Sequence, residues 1–179
     1  MVTLERAQAY DRPAKAANEV SSRVMINTWL KRLIMTGPSR SMMPVRVVLG
    51  IIFFAHGSQK LLGWFGGEGL IGSAQIFEAP YGLRPGILWV FLVSLTQFFG
   101  ALLVLSGLLT RLGALGLAVV MATAICKVHL GSFFNPEGME FPLALLGASF
   151  TLVIYGGGRW SIDRALLRPP AMRDDNSRT

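Results

Sequence analysis

The 179-residue sequence predicts an all-α integral membrane protein: a bundle of four spanning helices, both termini cytoplasmic, with an amphipathic interfacial helix before the first span. Three observations predict it. Charge is scarce and displaced to the ends. Only 15% of residues are charged and 52% are hydrophobic, against roughly 25% charged in an average protein. Of the seventeen Lys and Arg, eight precede Val47 and five follow Gly158, leaving Lys60, Arg84, Arg111 and Lys127 in between. A water-soluble fold scatters charge to cover its surface. The apolar runs are also continuous rather than alternating, which excludes the dyad pattern of a membrane β-barrel, and an open sheet edge in lipid leaves backbone groups unpaired. Finally, the loops differ in charge. With four spans, the termini and the Arg111 turn share one side, which then holds fourteen basic residues against three on the other. Basic residues mark the cytoplasmic side.

Each element follows from the chain in order. Residues 1–42 form a polar extension. Within it, residues 24–35 place Val24, Met25, Ile26, Trp29, Leu30, Leu33 and Ile34 at helical spacing, with Arg23, Asn27, Thr28, Lys31 and Arg32 on the other face. A short cationic helix with a Trp on its apolar side suits a membrane surface; packing on a soluble partner explains the same pattern. Gly37-Pro38-Ser39 breaks it. The first forty residues lack the apolar core of a signal peptide, so the first span is expected to direct insertion. That span covers residues 45–62, about 27 Å of helix at 1.5 Å per residue. A Gly-rich loop, residues 63–85, follows. Residues 86–127 carry Arg111 as their one interior charge and are twice the length of a crossing, so they divide into spans 86–107 and 111–129. A polar loop leads to span four, residues 139–158, with Pro142 in its first turn, where a missing N–H does no harm. The membrane domain is thus residues 43–164, and residues 165–179 are a basic tail. Small residues in spans two and three (Gly100, Gly107, Gly113, Gly116) suit close helix pairing.

Several chemistries are excluded. The isoelectric point of 10.3 is the signature of a basic rim, and no basic–aromatic pattern indicates nucleic acid. Cys126 is the single cysteine, so the chain forms no dithiol pair. His56 and His129 lie on different helices without a ligand-motif spacing, and no metal site is assigned.

The polar residues inside the spans remain. His56, Gln59 and Lys60 sit at i, i+3 and i+4 near the outer end of span one. Span three ends outward with Cys126, Lys127 and His129, and Gln97 lies near the middle of span two. Ionisable groups in a membrane are costly and face the bundle interior or a cavity. In a bundle these residues converge near the outer leaflet, where they suit a polar head group such as a quinone ring, or a proton relay through His56. A plainer role exists for each. Lys60 and Lys127 are at helix C-termini, where a cation is favoured and can snorkel. Gln97 needs only an interhelical hydrogen bond.

Three segments carry a family resemblance: Arg46-x3-Gly50-x5-His56-Gly57-x2-Lys60, then Gly107-Leu108-Leu109-Thr110-Arg111, then Gly156-Gly157-Gly158-Arg159-x-Ser161-Ile162-Asp163-Arg164. Over residues 44–164 the chain resembles the DoxX family. The resemblance implies a small four-helix protein of the bacterial inner membrane, associated in some relatives with quinone-linked oxidoreduction or redox-stress complexes. It maps the family's shared polar positions onto Arg46, His56, Lys60, Arg111, Arg159 and Asp163. By this resemblance, many relatives carry a Glu in span two where this chain has Gln97, which puts any proton transfer by that acid in doubt here. Arg159 and Asp163, at i and i+4, are also explained as an interfacial ion pair.

Two functions are therefore expected. In one, a quinone-linked component binds a head group at His56, Gln59, Lys60, Gln97 and His129, with electrons arriving from a membrane or peripheral redox partner or a bound cofactor. In the other, a non-catalytic anchor or assembly subunit recruits redox or stress-response partners through its extension and tails. Either is compatible with a homo-oligomer in the bilayer. A transporter is disfavoured, because no repeat is visible for alternating access.

Overall fold

Gly and Pro punctuate the apolar runs, and the helices begin and end at them. The computed structural model describes residues 34–36, 40–79, 81–134 and 138–167, and among these every regular element is helical. Helix α1 (Met42–Leu62) closes on Gly63 in the left-handed conformation, followed by a single 3-10 turn at Trp64–Gly66. Helix α2 (Gly69–Glu78) precedes α3 (Gly86–Ser106), which closes on Gly107. Helix α4 (Thr110–Ala124) runs on into a π-helical turn, Ile125–His129. Helices α5 (Glu140–Tyr155) and α6 (Ile162–Leu167) complete the chain.

Three of these helices are long and apolar enough to cross a membrane: α1, α3, and α4 with its π turn, at 21, 21 and 20 residues. A fourth apolar helix, α5, has 16 residues, about 24 Å. Their outward faces are apolar as well: Ile51 is 58% exposed, Val119 58% and Ile154 62%. Helices that are hydrophobic all round are solvated by lipid.

Three boundaries differ from expectation. Helix α1 starts at Met42 rather than residue 45, because Pro44 is accommodated in the first turn. Helix α5 stops at Tyr155 rather than residue 158, because Gly156 takes φ 73° and ψ −165°, a conformation open to glycine. The stretch 63–85, expected to be a loop, contains α2, whose Ala74 and Glu78 lie against Gly86 at the start of α3. The helix expected at 24–35 lies outside the described residues apart from Ile34 and Met35, as do Glu137 and the tail beyond Leu167.

Helix α3 is central, packing on both α1 and α4, while α5 packs on α4 and touches α1. Leu49, Phe53, Val104, Leu117 and Leu152 are among the core residues. Gly100 and Gly113 mark the α3–α4 crossing: a Cβ on Gly113 would come within 3.0 Å of the Gly100 carbonyl oxygen. The small residues of spans two and three do pair there, as lipid-embedded helices require.

At the end of the bundle where α1 starts, the polar motif residues form one lock. The Arg46 side chain is 3% exposed. Its Nε donates to the Val104 carbonyl at 2.8 Å and one Nη to Leu105 at 2.8 Å, both in the last turn of α3. The other Nη donates to the Gly157 and Trp160 carbonyls at 2.9 and 2.8 Å. A cation thus satisfies carbonyls that the end of α3 leaves without helical partners. Asp163, 1% exposed, does the converse for α4. Its carboxylate accepts from the Leu109 N–H at 2.7 Å, the Thr110 N–H at 3.0 Å and the Thr110 hydroxyl at 2.9 Å. Asp163 is therefore not one half of an Arg159–Asp163 surface pair: the turn at Gly156–Gly158 folds the chain back and carries it inward. Leu109 is held at φ 47°, a left-handed conformation that costs a non-glycine residue about 1–2 kcal/mol. The bond to Asp163 offsets that cost.

Candidate functional site

The other end of the bundle is open. Gly57 lies directly against the α3 backbone, where a Cβ would approach Phe98 N to 2.6 Å and Phe98 Cα to 2.9 Å. This contact sets α1 beside Gln97. One turn on, Lys60 Nζ donates to Gln97 Oε1 at 3.2 Å and reaches the His56 carbonyl at 3.5 Å. The buried amide at Gln97, 4% exposed, has found the interhelical partner that its position demands.

These residues line a cavity of about 360 Å³. Helix α1 contributes Phe53, His56 and Lys60; α3 contributes Val93 and Gln97. Met121, Thr123 and Ala124 come from α4, followed by Lys127, Val128 and His129 from its π turn. Such turns recur where a helix shapes a functional site. Phe141, Pro142 and Leu145 of α5 close the far wall, and Ile76, Phe77, Tyr81 and Leu83, from α2 and the segment after it, border the cavity too. Helix α2 is fastened by Glu78, whose Oε1 accepts from the Gly86 N–H at 2.6 Å and so places a carboxylate on the first turn of α3. The walls are mostly apolar, with a few convergent polar groups, and the volume falls in the usual range for small-molecule sites.

Four of the five residues singled out in the sequence, His56, Lys60, Gln97 and His129, share this cavity. Gln59 does not. Its backbone instead supports the Gly63–Gly67 turn, where a Cβ on Gly67 would meet Gln59 Cα at 2.6 Å. The i, i+3 and i, i+4 neighbours of His56 diverge around the helix, so only Lys60 follows it inward. Lys127, for which the sequence leaves both a place in the polar cluster and an anchor role open, lines the cavity. Tyr81 and Phe77 lie in a segment that the sequence presents as a loop, so nothing there marks them as lining a site. The apolar positions Ile76 and Phe77, interleaved with polar Gln75 and Glu78, were the available signal of a helix.

Fold and site together define a helical membrane protein with a cavity at one end of its bundle. The DoxX family model matches residues 41–130, a segment that includes Arg46, His56, Lys60, Gln97 and His129. The chain belongs to the DoxX family. An uncharacterized membrane protein of Mycobacterium tuberculosis is 30% identical over 161 residues, covering 78% of this chain and 88% of the relative. A Bacillus subtilis protein, CatD, provisionally named an oxidoreductase, is 32% identical over 119 residues (66% and 81%). An uncharacterized Haemophilus influenzae protein is 29% identical over 130 residues (71% and 83%). No solved structure matches the chain.

Proposed function

We propose that the protein is a quinone-linked, redox-associated component of the bacterial inner membrane that binds a quinone head group in the cavity beside Lys60, Gln97 and His56. In this reading residues 43–164 are a four-span domain with both termini cytoplasmic. Helix α5 makes the fourth crossing, and the lock at Arg46 and Asp163 sits at the cytoplasmic surface. The extension 1–42, with its interfacial helix, and the tail 165–179 then lie on that side. The fourteen-to-three division of basic residues supports this orientation.

The observation that carries the reading is the Lys60–Gln97 pair on a wall of a mostly apolar cavity. A quinone supplies two-electron acceptor chemistry when bound, and electrons come from a partner redox protein. This chain's residues bind and orient the ring. Lys60 donates to a ring oxygen, and the Gln97 amide, whose oxygen is held by Lys60, presents its N–H groups. No described residue hydrogen-bonds the His56 imidazole, which is exposed at the cavity and free to exchange a proton there. The phenylalanines at 53, 77 and 141 pack the ring faces. The provisional oxidoreductase name of CatD agrees with this direction.

Titration of the purified full-length protein with a quinone tests it. Binding is expected in the wild type and is expected to weaken about tenfold or more in Lys60→Ala, the loss of a hydrogen bond from a charged donor; His56→Ala weakens it less. Binding that is unchanged in both variants overturns the assignment. A stable stoichiometric partner lost on deleting residues 1–40, with no quinone bound at all, replaces it by the assembly-subunit reading.

A further inference from the structure

Two cations face the same cavity, and none of its lining residues is acidic. Lys60 reaches it from α1 and Lys127 from the π turn of α4. The acceptors of Lys60 are both neutral, the Gln97 amide oxygen and the His56 carbonyl. No described residue accepts a hydrogen bond from Lys127. Of the described carboxylates at this end, Glu78 is engaged with the Gly86 N–H, while Glu68, just before α2, and Glu140, in the first turn of α5, are not part of the lining. The walls between the lysines are apolar and aromatic: Phe53, Phe77, Tyr81 and Phe141. Two positive charges on an apolar chamber favour an anion, because attraction is screened far less there than in water. Aromatic walls favour one whose charge is spread over a flat ring.

Resting on the reading of the cavity as a ring-binding site, we propose that it selects its ligand as a ring oxyanion, an ionised hydroxyquinone or phenolate held between Lys60 and Lys127. Lys127 is then a specificity-determining residue rather than a membrane anchor. Gln97 is part of the same selectivity: a carboxylate in its place neutralises Lys60 and removes half of the attraction. An ammonium–oxyanion hydrogen bond is stronger than its neutral counterpart, so the preference is set by charge more than by shape.

The test uses the full-length protein in lipid nanodiscs at neutral pH, with three probes: a hydroxynaphthoquinone that is ionised under these conditions, its O-methyl ether, and laurate. The ionised ring is expected to bind about tenfold or more tightly than its ether, the increment of a charge-assisted contact. Lys127→Met and Lys60→Met are each expected to reduce that ratio towards one, Gln97→Glu to lower it, and Lys127→Arg to preserve it. Thermal melts of every variant accompany the titrations, and the Lys127→Arg result keeps the test decisive if a Met variant melts early. Equal binding of the hydroxynaphthoquinone and its ether overturns the inference while leaving the ring site standing, as does a ratio that survives both lysine substitutions. Binding of neither ring compound removes the ring site and the inference together. Laurate binding as tightly as the ionised ring overturns the choice of a ring.

Discussion

The two ends of this bundle use the same kinds of residue in opposite ways. At the end holding Arg46 and Asp163, both charges are buried and saturated: the guanidinium has four carbonyl acceptors, and the carboxylate has three donors. At the end holding His56, Lys60 and Lys127, the charges are half-buried or exposed and under-partnered around a cavity of about 360 Å³. A buried charge persists only when hydrogen bonds replace its lost hydration. The first end meets that condition from within the chain. The second end leaves its charges open to the cavity, and in the proposed reading a ligand meets them there. Polar residues in a membrane helix are therefore not one class: the saturated ones hold helices in register, and the unsaturated ones are those that the proposed function assigns to a ligand.

Substitutions break the comparison in a definite order. The largest loss is expected for Arg46→Met, which strips four hydrogen bonds and leaves the Val104, Leu105, Gly157 and Trp160 carbonyls unanswered. It should cost about 3 kcal/mol or more and lower the melting temperature in detergent by on the order of 10 °C. Arg46→Lys should recover little of this, because an ammonium cannot span the same fork of acceptors. Asp163→Asn comes next, at about 2 kcal/mol. It should raise hydrogen exchange at the Leu109 and Thr110 amides first, since one of the two then faces an amide NH2 group instead of an oxygen. Gly57→Ala is expected to cost about 1–3 kcal/mol through overpacking against Phe98, and it differs from the lock variants in also weakening ligand binding, because it separates Lys60 from Gln97. Glu78→Gln should cost only about 0.5–1 kcal/mol, the value of a charge at a helix N-terminus, and be seen as faster exchange within α2. Gly147→Ala sharpens the contrast from the other side. A Cβ there meets nothing within 4 Å, so the helix should be stabilised by about 0.5–1 kcal/mol in a melt with no change at the cavity.

Much of this was legible in the sequence, for reasons that separate cleanly. The long helices were readable because an apolar run of about twenty residues between glycines has few alternatives, and Gly63 and Gly107 mark the helix ends. Gathering His56, Lys60, Gln97 and His129 at one end needed only span lengths and the antiparallel order. The lock was not readable as such. Arg46, Thr110 and Asp163 are 53 to 117 residues apart in sequence, and nothing local shows that a buried arginine ends one helix while a buried aspartate begins the next. The i, i+4 spacing of Arg159 and Asp163 pointed to a surface pair because the turn made by Gly156–Gly158 reverses the chain, and spacing along a helix carries no information across a reversal. Helix α2 was hidden by five glycines and a proline in residues 63–80. Its order depends on tertiary contact with α3, which propensity does not register.

The claim that one end folds the protein while the other binds is tested most directly by measuring melting temperature and quinone affinity together in Asp163→Asn and Lys60→Met. The predicted pattern is crossed. Asp163→Asn should melt about 5 °C or more below the wild type with affinity within about twofold, and Lys60→Met should lose about tenfold in affinity with a smaller fall in melting temperature, that of the single hydrogen bond to Gln97. Equal destabilisation by the two substitutions, with affinity unaffected in both, would show that both ends are scaffold and that the cavity has no ligand of this kind.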